Sequence, residues 1–240
     1  MKSEANAEGR GKSGATRGSG VRKARAALSK RAIVNAGVEL ADRDGLEPLT
    51  IRALAAELGS RPMSIYRHVE SKDALLDAMV DAVIAEMEPA HDGPDWRDAL
   101  RRRCESERAA LVRHPWAIPL LESRANPGPV LLAHHNATLG ALMRGGLSMP
   151  VVAHGVALLD SVVYGFAMQE AGLAAEAAGG GEHVEEVASD LVEALDPATL
   201  PHLTRFVAEY ASTSEYSFGA SFTFGVDAVL DALVRAAGTA

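Results

Sequence analysis

The fold class read from this chain is all-α: a three-helix unit near the N-terminal end, then a larger helical body. Three observations lead there. Hydrophobic residues make up 48% of the chain but aromatics only 5%, so the core must be built mainly of Ala, Leu and Val, which favours closely packed helices over sheets. Apolar residues recur at helical spacing along most of the sequence. Helix start and stop residues bracket most of these periodic stretches. At 240 residues the chain is long enough to bury a large core, as one long domain or two smaller ones.

Residues 1–24 are rich in Gly and Ser with scattered charge. Such a stretch cannot bury enough surface to order itself and is expected to be a disordered basic arm. Basic arms of this kind lie on phosphates or enter a minor groove. A solvated tail is the simpler reading for any single residue, and Arg22, Lys23 and Arg25 stand nearest the folded part. Ser29 to Arg43 reads as the first helix. Ile33, Gly37, Leu40 and Ala41 share a face, Val34 and Val38 lie beside it, and Asp44-Gly45 ends it.

The next stretch, Thr50 to Lys72, organises the rest. Thr50 can cap a second helix, on which Ile51, Leu54, Ala55 and Leu58 recur at i, i+3, i+4 and i+7. Gly59 follows where a left-handed residue is needed. Ser60 can cap a third helix over Arg61–Val69, with Pro62 in its first turn. Ile65 and Val69 point back at the second helix. Arg61, Pro62, Met63, Ser64, Tyr66, Arg67 and His68 are left mostly facing out. A short helix held from behind by two apolar side chains, with a polar and aromatic outer face, suits the major groove of DNA. Arg61 suits guanine O6/N7, Ser64 a base or phosphate, and Met63 or Pro62 a thymine methyl. Tyr66, His68 and Lys72 suit phosphate contacts, which fix register without reading sequence. Thr50 and Arg52, at the start of the second helix, complete the expected contact set.

The run LTIRALAAELGSRPMSIYRHVESKDALLDAM resembles the DNA-binding module of the tetracycline-repressor (TetR) family of dimeric transcriptional regulators. The matching elements are Leu49-Thr50, Ala56-Glu57-Leu58-Gly59, Ile65-Tyr66-Arg67-His68-Val69 and Ser71-Lys72-Asp73-Ala74-Leu75-Leu76. The resemblance covers roughly Leu28 to Met87. It implies an N-terminal helix-turn-helix DNA-binding domain, placed at 25–88, and a helical effector-binding and dimerisation domain, placed at 89–240. Met63 and Arg61 depart from the family's founding members, so no operator sequence carries over.

Ser71 caps the fourth helix and Asp73 suits its dipole. Leu75/Leu76, Met79/Val80, Val83/Ile84 and Met87 repeat to Pro89. In the family this helix is the lever that moves when a ligand binds. His91-Asp92-Gly93-Pro94 reads as a linker. Asp95 caps a helix carrying Trp96, Leu100, Cys104 and Leu111, stopped by His114-Pro115. Trp116 to Arg124 is shorter, with Pro119 as a kink. Asn126-Pro127-Gly128-Pro129 is a turn, and Val130 to Arg144 is another helix, ended by Gly145-Gly146. Ser148 starts a long helix through about Ala171, whose run Val151–Met168 is broken by His154, Asp160 and Ser161 and reads as a buried helix rather than a membrane span. Residues 174–181 read as a loop, His183 to Leu195 as helical, and Thr213 to Ala237 as the last helix.

The resemblance implies that the long helix and the last helix pair with their copies in a homodimer. Two-fold symmetry would double the contact on a palindromic operator. It also implies a cavity for a small-molecule effector. Trp96, Trp116, Leu120, Met143, Tyr164 and Met168 suit its lining, since Met adapts and aromatics supply surface. Asn136, His154 and Asp160 suit its orienting groups; each of these nine, taken alone, reads first as ordinary structure. The family's tetracycline–magnesium binders use a histidine after the fifth helix. The corresponding Ile118-Pro119-Leu120-Leu121-Glu122 has none, so tetracycline is not assigned. No metal or cofactor is expected: His134 and His135 diverge by about 100° on a helix and cannot chelate one ion alone.

Charge is unevenly spread. The net charge is −8, yet residues 1–31 carry +7 and the remainder −15. A basic head on an acidic body suits a protein that meets phosphate at one end. One cysteine, Cys104, excludes a disulfide framework and fits a cytoplasmic location. An apolar leader is absent from residues 1–20, and no GxSxG, HExxH or P-loop supports an enzyme. The reading is therefore a ligand-responsive repressor released from its operator by an inducer. The alternative, a helical protein–protein adaptor without sequence-specific DNA binding, leaves the outward Arg61/Tyr66/Arg67 set unexplained.

Overall fold

The structure, a computed structural model, describes residues 28–123, 128–178, 195–211 and 218–237; among these it contains no strand. Helices α1 (Lys30–Asp44), α2 (Ile51–Glu57), α3 (Pro62–Ile65) and α4 (Lys72–Ile84) come first. Then follow α5 (Trp96–Arg113), α6 (Ala117–Ser123), α7 (Pro129–Arg144), α8 (Met149–Ala178), α9 (Pro201–Phe206) and α10 (Phe218–Ala237). A π-helical turn, Val207–Ala211, continues α9.

Side-chain caps set the helix starts. Ser29, Thr50, Ser71 and Asp95 accept from the backbone N–H groups of Ala32, Ala53, Ala74 and Asp98 at 3.0–3.2 Å. Each satisfies a donor that the helix itself leaves unpaired, worth about 1 kcal/mol. Ile33 and Leu40 of α1, Leu54 of α2, Ile65 of α3 and Leu75 and Met79 of α4 form one buried cluster. Gly37 sits inside α1 despite its helix cost because α4 passes close: a Cβ there would lie 2.9 Å from Met79 Sδ.

In the body α5 and α8 lie along one another, with α7 and α10 packed on them. Leu100, Leu111, Leu142, Leu159, Val163, Phe222 and Leu230 fill the space between. Arg101 pairs with Asp227, and Arg97 with Asp231, fixing α10 to α5. Helix α4 packs on α1 on one side and on α5, α6 and α7 on the other. It is the mechanical link between the two ends of the chain.

Several expectations are corrected. The third helix is one turn, Pro62–Ile65, rather than Arg61–Val69. His68 and Val69 both donate to the Ile65 carbonyl, so the chain leaves the helix through tight turns. Ser60 does not cap it. The Ser60 N–H closes the end of α2 on the Ala55 carbonyl at 2.7 Å, and Arg61 takes the N-cap position without a side-chain bond. Helix α4 stops at Ile84, not Pro89, because Glu86 and Met87 donate in i→i+3 turns. Helix α8 runs to Ala178, through the first part of the expected 174–181 loop.

Helix α8 also differs in burial. Its Met149–Leu173 stretch is long and apolar enough to cross a membrane by length and composition, and only 28% of its most apolar window is buried. The expected buried helix is thus covered on one side. Val152, Leu159, Val163 and Ala167 face the body while Leu158 and Met168 face out. Apolar residues surround α8, so their spacing could not say which side the chain covers. Helix α9 was not anticipated. The arm at 1–24, residues 179–181, most of the expected His183–Leu195 helix and the start of the last one lie outside the described residues.

Candidate DNA-reading face and buried polar cluster

The α2–α3 turn is made by Gly59, whose φ is +55°. That left-handed conformation brings the chain back so that Pro62, at the first helical position, starts α3 with its φ already suited. Ile65 is fully buried and Val69 nearly so. With those two side chains inward, the rest of the turn faces water. Arg61, Pro62, Arg67 and His68 are exposed, Met63 is 72% exposed, Tyr66 46%, and Ser64 is half-buried. Arg52, one residue into α2, and Lys72, the first residue of α4, are exposed as well. Thr50 is exposed but spends its hydroxyl on the α2 cap. A Met at that exposure leaves a large apolar side chain in water.

The body holds a polar group that pattern reading did not find. Arg103 of α5 is fully buried. Its Nη2 lies 2.7 Å from Asp160 Oδ1 on α8 and 2.8 Å from Glu107 Oε2 one turn along α5. Its Nε donates to His134 Nε2 on α7 at 3.3 Å. Tyr164, one turn beyond Asp160, lies near enough to the Glu107 carboxylate for the two to influence one another's protonation. Thr138 donates to the His134 carbonyl at 3.1 Å. Three helices therefore meet around one guanidinium.

Burial governs the protonation states here. It pushes the Glu107 carboxyl up to about 7, against the pull of Arg103. It pushes the His134 imidazole down to about 4, with Arg103 and His135 adding to the effect. The Tyr164 hydroxyl is raised by burial and by the nearby Glu107 and Asp160. Burial opposes the Arg103 cation, but Glu107 and Asp160 more than offset it. Burial also pushes the Cys104 thiol up to about 11, so it is an unreactive core thiol. Glu107 Oε2 is buried with no protein hydrogen bond aligned on it.

Of the nine expected effector residues, the structure brings Asp160 and Tyr164 into this cluster. Trp96 packs its indole against Gly145, where a Cβ would come within 2.7 Å. Leu120 is half-buried at the edge of the core. Asn136, Met143, His154 and Met168 are exposed on outer faces of α7 and α8. Trp116 is buried, but at the junction of the two ends of the chain: its Nε1 donates to Asp42 Oδ1 of α1 at 2.6 Å. His114 joins the same oxygen at 2.7 Å and Glu86 at 3.3 Å, and Arg113 also pairs with Glu86. Arg103, Glu107 and His134 are the members missed. The available signal was register: Arg103 and Glu107 fall at i+3 and i+7 from Leu100, on the apolar stripe of α5.

Comparison with known proteins follows this division. Residues 33–79 match the family model for bacterial regulatory proteins of the tetR family, and residues 88–236 match the tetracyclin repressor-like C-terminal domain. The HTH-type transcriptional repressor DrrR1 of Streptomyces coeruleorubidus is 33% identical over 212 residues, covering 84% of this chain and 75% of that protein. An HTH-type transcriptional regulator of Saccharopolyspora erythraea is 39% identical over 138 residues, covering 57% of this chain and 58% of that one, so the match spans less than two thirds of that relative. Among solved structures, the Streptomyces coelicolor TetR family protein ActR in complex with actinorhodin superposes with a TM-score of 0.72 at 25% identity, over 89% of this chain and 100% of that one. The regulator SCO7222 from the same organism gives 0.69 at 31% identity, over 87% and 99%. These relatives are named as transcriptional regulators or repressors. The chain belongs to the tetracycline-repressor (TetR) family of DNA-binding transcriptional regulators.

Proposed function

We propose that this chain is a ligand-responsive repressor: a homodimer that holds a palindromic operator and releases it when a small molecule enters the body. The observation that carries this reading is the one-turn α3, anchored by Ile65 and Val69 and offering Met63, Tyr66 and Arg67 to water. Arg52, Arg61, Pro62, Met63 and Ser64 are assigned to base edges and nearby phosphates. Thr50, Tyr66, Arg67, His68 and Lys72 are assigned to the backbone of the duplex.

The dimer is supported by the uncovered sides of α8 and α10. Leu158, Met168, Val234 and, at 77% exposure, Phe224 are exposed there. A second copy covers such faces symmetrically and sets two readers about 34–36 Å apart, one turn of DNA. Reading then belongs to 25–88, and pairing and response to 89–240, in the cytoplasm. The effector site is assigned to the Arg103–Glu107–His134–Asp160–Tyr164 cluster, and a small-molecule effector is supported by ActR, which was solved in complex with actinorhodin. Because α4 packs on both α1 and α5–α7, a ligand that reshapes α5–α7–α8 tilts α4 and changes the reader spacing. An inducer that weakens operator binding 100-fold needs about 2.7 kcal/mol of differential binding.

The test is fluorescence anisotropy at stated salt on palindromes from the promoters flanking the gene, with random duplex as control. Tight, salt-dependent binding to one palindrome at two chains per site is the expected result. Equal affinity for random duplex would overturn it in favour of an adaptor.

A further inference from the structure

This inference rests on the reading of the α5–α7–α8 cluster as the effector site, and it concerns what the effector carries. Arg103 is the buried cation of that cluster, and each of its nitrogens already faces a partner. Nη2 meets Asp160 and Glu107, Nε meets His134, and Nη1 faces Cys104 Sγ at 3.9 Å. Little of it remains to receive an anion. Glu107 is the opposite case: its Oε2 is buried, Arg103 Nη2 stands 2.8 Å away, and no protein hydrogen bond is aligned on it. With both carboxylates ionised and His134 neutral, the cluster carries one negative charge in excess. Uncompensated charge is costly where water is excluded. A proton on Glu107 removes it; so does a cation delivered from outside.

We propose that the effector of this protein carries a protonated amine that donates to Glu107 Oε2. An anionic effector would add a second uncompensated charge beside an Arg103 whose three nitrogens already face partners. A cationic nitrogen neutralises the cluster and makes a charge-assisted hydrogen bond. The groups facing Glu107 are Arg103 and Cys104 on its own helix, Asp160 and Tyr164 on α8, and His134 through Arg103. Because Glu107 titrates near neutrality, the incoming cation displaces its proton. Asp160 keeps 16% of its side chain exposed and Tyr164 is half-buried, so the cluster reaches the surface along α8.

The experiment is a thermal-shift and calorimetric comparison on the full chain. The probes are two- to four-ring aromatic primary amines such as 9-(aminomethyl)anthracene, each with its N-acetyl and its carboxylate counterpart. The amines are expected to raise Tm and their counterparts to leave it unmoved. Calorimetry at pH 7 in phosphate and in Tris is expected to show release of about half a proton per amine bound. Glu107→Gln keeps the shape and cannot ionise. It is expected to lose about tenfold or more in amine affinity, and the proton release with it. Equal binding of acetylated or carboxylate members, or absence of proton release from the wild type, overturns the charge assignment alone; both are read without any variant. Should no compound of any charge shift Tm or free a tightly bound operator, the effector reading falls and this proposal with it.

Discussion

The indole N–H of Trp116 donates to Asp42 Oδ1 across 2.6 Å, joining the start of α6 to α1. His114 reaches the same oxygen from the end of α5. Body and reader are therefore coupled by hydrogen bonds as well as by α4. Trp116→Phe keeps the packed ring and deletes one bond to a carboxylate. A loss of about 1–2 kcal/mol in urea unfolding is expected, with amine affinity at the buried cluster unchanged. An unaltered urea midpoint would show that the bond contributes nothing.

The reading face separates stability from binding. Arg52 and Tyr66 are exposed, so Arg52→Ala and Tyr66→Phe should move unfolding by no more than about 0.5 kcal/mol. Operator affinity should fall by about 1–3 kcal/mol for Arg52→Ala, with specificity relaxed at one base pair, if its fork reads a base edge. Tyr66→Phe should cost about 1 kcal/mol across all sequences, as a phosphate contact does. Titration by anisotropy at fixed salt distinguishes the two patterns; two unchanged affinities would reject this face.

Gly59 supplies the turn between α2 and α3 at φ +55°. Gly59→Ala places a Cβ where left-handed backbone is strained by about 1–2 kcal/mol. Both Tm and operator affinity should drop, because the orientation of α3 depends on that turn. A Tm equal to wild type by calorimetry would contradict the strain.

The buried cluster predicts a pH signature. The folded-state Glu107 carboxyl titrates at about 7, above its ordinary 4.5. The folded state thus holds this proton more tightly than the unfolded chain does. Its contribution is complete below pH 4.5 and is lost as pH rises toward and through 7. His134, lowered to about 4, acts in the other direction: stability is complete above its ordinary 6.5 and is lost as pH falls toward 4. Glu107→Gln should therefore gain stability relative to wild type between pH 5 and pH 7.5, by no more than about 3 kcal/mol. Urea midpoints of both proteins at the two pH values give the difference, and a flat difference would remove Glu107 as its source.

Arg103→Met leaves Asp160 and Glu107 without their cation. The expected loss is about 3–5 kcal/mol at pH 7, smaller at pH 5 where Glu107 protonates more readily. Guanidinium unfolding of the variant at both pH values measures it.

What the sequence determined by itself was local. Ser29, Thr50, Ser71 and Asp95 announced helix starts because a cap needs only a side chain and a backbone N–H three residues on. Ile65 and Val69 announced the hidden side of the reader as the two apolar side chains among polar neighbours, although only Ile65 lies within α3. The tertiary structure decided what depends on packing between distant segments. It shortened α3 to one turn and uncovered half of α8. It moved Trp116 from an expected pocket to the junction with Asp42. It gathered Arg103, Glu107, His134, Asp160 and Tyr164 from three helices around one buried charge. Periodicity reports which side of a helix is apolar. It does not report which neighbour covers that side, nor where a charge on it finds its partner.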